Sequence, residues 1–85
     1  MVDKTLEEIK KGEQAQKVLD SEVYQEAFTH VRNNIIEAMQ TSPLSDDVTH
    51  NRLVIALQTL NQIQRALTEV MQTGKMAQIQ VNDLK

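Results

Sequence analysis

Tyr24, Phe28, Val31, Ile35 and Ala38 recur at alternating steps of four and three, and Leu53, Leu57, Leu60, Leu67 and Met71 follow a similar spacing. That spacing lines each set along one side of an α-helix. Between the two sets lies Thr41-Ser42-Pro43-Leu44-Ser45-Asp46-Asp47, a short polar link. Its proline has no amide to donate and disfavours a helical residue before it. Helices joined by so short a link become neighbours running in opposite directions. The sequence therefore predicts an all-α fold: an antiparallel helical hairpin, with an additional N-terminal helix and a flexible or extended C-terminal tail. Two such broad apolar faces seldom cover each other completely, so a third helix, a second copy or a partner is expected on the remainder.

Local signals place a single helical domain over residues 1–75, with helices at about 5–19, 21–40 and 46–73, and a tail over 76–85. Thr5-Leu6-Glu7-Glu8 has the form of a capping box, which starts the first helix. Leu6, Ile9, Ala15, Val18 and Leu19 give it one apolar edge, while Gly12 inside the pattern costs about 1 kcal/mol relative to alanine. Lys10, Lys11, Glu13 and Lys17 read as its solvated face. Asp20-Ser21 caps the second helix, and Glu22 suits its positive end. Ser45, Asp46 or Asp47 caps the third, for which Gly74 is the expected terminator and Lys75 a favourable follower. At 1.5 Å per residue the third helix is expected to reach about 40 Å against about 30 Å for the second, leaving part of it uncovered. Beyond Gly74, the residues Ala77, Ile79 and Val81 alternate with polar ones. Alternation fits an extended strand, either disordered in isolation or paired with a second copy or a partner's sheet.

The 85 residues include no cysteine, which excludes disulfides and cysteine-bound zinc. The longest apolar run, Leu53 to Leu57, is far short of a bilayer span, and Met1-Val2-Asp3-Lys4 lacks the pattern of a signal peptide. A cytoplasmic protein without a membrane partner is expected. Twelve acidic against nine basic side chains give a net charge of −3, so attraction to phosphate backbones starts at a disadvantage. A core of this size is only marginally self-sufficient, which makes self-association a reasonable expectation.

No constellation in the chain supports catalysis. His30 and His50 lie on different helices, and Glu26 four residues before His30 is a single carboxylate, so neither a metal site nor any other cofactor is called for. There is no phosphate loop or nucleophile elbow, and the carboxylates fall on outer faces; the chain is not expected to be an enzyme. Tyr24 and Phe28, four apart, stack along one helix face as a core anchor or as an anchor for a protein partner. Gln64 interrupts the stripe of Leu57, Leu60, Leu67 and Met71, where a polar residue fixes register and copy number. Alternatively the core follows Ala56, Leu60, Ile63, Leu67 and Val70, with Gln64 at its margin, and we favour that arrangement. The outer face of the third helix carries Gln58, Asn61, Gln62, Thr68 and Gln72, amides and a hydroxyl that are less costly to desolvate than charges.

The order Tyr24-Gln25-Glu26-Ala27-Phe28, then Thr41-Ser42-Pro43, then Arg52-Leu53 leading into a leucine-rich helix that closes at Thr73-Gly74-Lys75, resembles the small helical proteins of tailed bacteriophages. The resemblance implies a setting in virion assembly and brings no catalytic or binding residue with it. The expected function is a non-enzymatic helical protein–protein interaction or oligomerisation module, a virion-assembly or structural accessory protein. Its partner or self-association residues are expected among Tyr24, Phe28, Leu57, Leu60, Ile63, Gln64, Leu67, Met71, Ile79 and Val81. The alternative is an oligomeric regulator or DNA-packaging factor in which Arg32, Arg52 and Arg65 meet phosphates.

Overall fold

The computed structural model describes the backbone of residues 2–84 and the side chains of residues 4–84, so Met1 and Lys85, at the ends of the expected domain and tail, lie outside the described residues. Three helices follow one another, α1 (Val2–Asp20), α2 (Glu22–Thr41) and α3 (Asp47–Asp83), with no strand among the described residues.

Each boundary has a local cause. Ser21 alone separates α1 from α2; it is extended at φ −65° and ψ 124°, and its hydroxyl accepts the Tyr24 amide at 3.3 Å. Gln25 closes the other side of the break by donating its side-chain amide to the Leu19 carbonyl at 2.8 Å. At the end of α2, Ser42 is extended at ψ 146°, as the residue before a proline prefers, and its amide still reaches the Ala38 carbonyl. The Asp46 carboxylate caps α3, accepting the Thr49 amide at 3.1 Å and the Thr49 hydroxyl at 2.6 Å.

Two expectations are corrected. Thr5 does not open the first helix, because α1 is already helical from Val2. Gly74 does not end the third, because it keeps a helical backbone with no positive φ, and α3 runs on to Asp83. At 37 residues α3 is about 55 Å long. Residues 76–83 are therefore helix, neither an extended strand nor a flexible tail. The reason is packing: Gly74 and Ala77 are buried in α3, and Val81 is half-buried one turn further on. The helix thus gains a partner surface that local propensity does not register.

Helix α1 makes the most extensive contact with α3, and α2 a smaller one. Ser42 meets His50, Tyr24 meets Gln64, and Gly12 meets Gly74. Positions on one side thus fall in number as those on the other rise. The dimensions are 61 × 24 × 16 Å: α1 and α2 lie end to end along α3, in a particle two helices wide and about one helix thick. Its described core consists of small residues. Ala15 and Ala77 are 5% and 2% exposed and the two glycines are buried, while no large side chain among the described residues is fully buried.

Candidate interaction surface

At Gly12 and Gly74, α1 and α3 come into backbone contact. A Cβ placed on Gly12 would fall 2.8 Å from the Gly74 Cα, and one on Gly74 would fall 2.8 Å from both the Glu8 carbonyl oxygen and the Gly12 Cα. Main chain therefore meets main chain, in the way that small residues allow helices to approach closely. Ala15 and Ala77, each three residues after a glycine, are buried beside this contact. The sequence carries this signal as the same step twice, glycine then alanine three positions on. Taken one at a time, Gly12 looks like a helix defect and Gly74 like a stop, and only the pairing of the two steps points to a contact.

Away from the glycines the contact is looser. Tyr24 and Phe28 are half-buried, with ring centroids 6.1 Å apart and planes inclined by 36°. The Tyr24 hydroxyl donates to Gln64 Oε1 at 2.7 Å, which corrects the favoured placement of Gln64. It is half-buried within the contact stripe, together with Leu57, Leu60, Leu67 and Met71, rather than at its margin. The phenol supplies the amide oxygen with a partner, so a polar residue is tolerated at this position. Of the adjacent stripe, Ile63 and Val70 are exposed, at 53% and 41%. Of the expected tail residues, Ile79 is exposed and Val81 half-buried, both on a helix. Gln58, Asn61, Gln62 and Gln72 are exposed, while Thr68 is half-buried and donates its hydroxyl to the Gln64 carbonyl at 2.9 Å.

Each of the two broad sides of this thin particle carries a groove bordered by glutamate and lysine. One side carries a groove of about 370 Å³ between the arms, bordered by Glu13, Gln16, Lys17, Lys75 and Gln78 around Ile9 and Met71. The opposite side holds half-buried Ala56 and exposed Ile63 and Val70, three apolar residues spaced seven apart along α3, while Ala77 at the next step is turned into the α1 contact and buried. Residues seven apart on a helix nearly superpose, so these form one column beside the contact stripe. A second groove, bordered by Glu8, Lys11, Ala66, Glu69, Val70 and Thr73, lies at the α1 end of the same side. Val18 of α1 and Val31 of α2, 41% and 43% exposed, fall by helical phase on this side too.

The histidines serve local structure. His50 Nε2 lies 3.0 Å from the Ser42 hydroxyl, which donates to the Met39 carbonyl at 3.3 Å. His30 Nε2 lies 3.3 Å from the side-chain nitrogen of Asn34. Among the described residues no group of three or more histidines and carboxylates is arranged to hold a metal ion, and no helix is long and apolar enough to cross a membrane. Asp46 has a lowered pKa. The Thr49 hydroxyl, then the Thr49 amide, hold it below the ordinary aspartate value, with His50 adding a smaller pull.

No family model matches this chain, and neither a curated protein nor a solved structure is similar to it.

Proposed function

We propose that the chain is a non-enzymatic association module, a two-armed antiparallel helical hairpin that covers its apolar side with protein. The observation that carries this reading is surface area. The chain exposes 6719 Å², whereas a compact particle of its 9.7 kDa exposes about 5,100 Å². The excess is that of a molecule one helix thick, and it includes Ile63, Val70, Val18 and Val31 on one side. Apolar side chains exposed together on one side of a molecule are the kind of surface that protein contacts use. The resemblance to small phage proteins makes virion assembly the setting we propose for that contact. One of its elements no longer contributes, since Thr73-Gly74-Lys75 lies inside α3 and closes nothing.

The test uses the absence of native cysteine. A single thiol at Ile63→Cys is alkylated in an extract of the source cells and in the same extract after denaturation. Slow alkylation in the native extract and fast alkylation after denaturation are expected. Equal rates would end the reading.

A further inference from the structure

We draw no further inference here: the strongest candidate, the side of α3 that leaves Ile63 and Val70 exposed, carries nothing because nothing in the structure shows what covers it.

Discussion

Gly12 and Gly74 stand backbone against backbone, close enough that a side-chain carbon on either would lie 2.8 Å from a main-chain atom of the opposite helix. Both glycines of the chain are used in this one contact, and it is where α1 is held.

Gly12→Ala and Gly74→Ala set two effects in opposition. Alanine gains about 1 kcal/mol in helix propensity, but backbone cannot yield as a flexible side chain does, and overpacking costs typically about 1–3 kcal/mol. Each variant is expected to lower the thermal midpoint followed by circular dichroism. Gly12→Leu should go further and release α1 from α3. A higher midpoint for either alanine variant would show that the arms do not meet here.

Tyr24→Phe removes only the hydroxyl that donates to Gln64, at an expected cost of about 0.5–1.5 kcal/mol. In a double-mutant cycle with Gln64→Ala, the two losses should be less than additive. Additive losses would mean that the bond contributes nothing.

Asp46 gives the helix cap a pH signature. Its folded pKa lies below the ordinary value, so the stability it contributes is present above the unfolded pKa of about 4 and is lost as pH falls through the folded value. Asp46→Asn keeps an oxygen for the Thr49 amide and removes the titration. The difference in thermal midpoint between wild type and Asp46→Asn should hold steady near neutrality and shrink on acidification below about pH 4. A difference that does not change with pH would contradict the charged cap.

Deletion of residues 76–85 tests the end of α3. Because Ala77 is buried, the truncated chain should lose more helical signal than the deleted residues account for, since α1 loses part of its seat. A loss limited to those residues would mean that the segment packs on nothing.

The all-α class was legible because the steps of four and three at Tyr24–Phe28–Val31 and Leu53–Leu57–Leu60 are a property of the chain itself. Caps at Ser21 and Asp46 are similarly local, each a short oxygen side chain three residues before the amide it accepts. What lay beyond the sequence reading was long-range. A glycine ends helices by adopting a left-handed backbone, and Gly74 has the composition for it. Its role is decided instead by Gly12, in a different helix, whose approach repays an interior glycine. The same holds for Gln64, which looks marginal until the phenol of Tyr24 is known to face it. The apolar column at Ala56, Ile63 and Val70 is visible in the sequence and reads there as the core. The structure puts the neighbouring stripe, with Leu57, Leu60 and Leu67, against the other arm, and leaves Ile63 and Val70 outside.

Ser21 carries a consequence for how the chain tolerates change. It is the single non-helical residue between α1 and α2, and it sets the rotation of one about its axis relative to the other. Adding or removing one residue there would turn α1 by about 100° and swing Gly12 away from its mate, however mild the inserted amino acid. The joint behaves as a keyed coupling: its chemistry is replaceable, but its length is not.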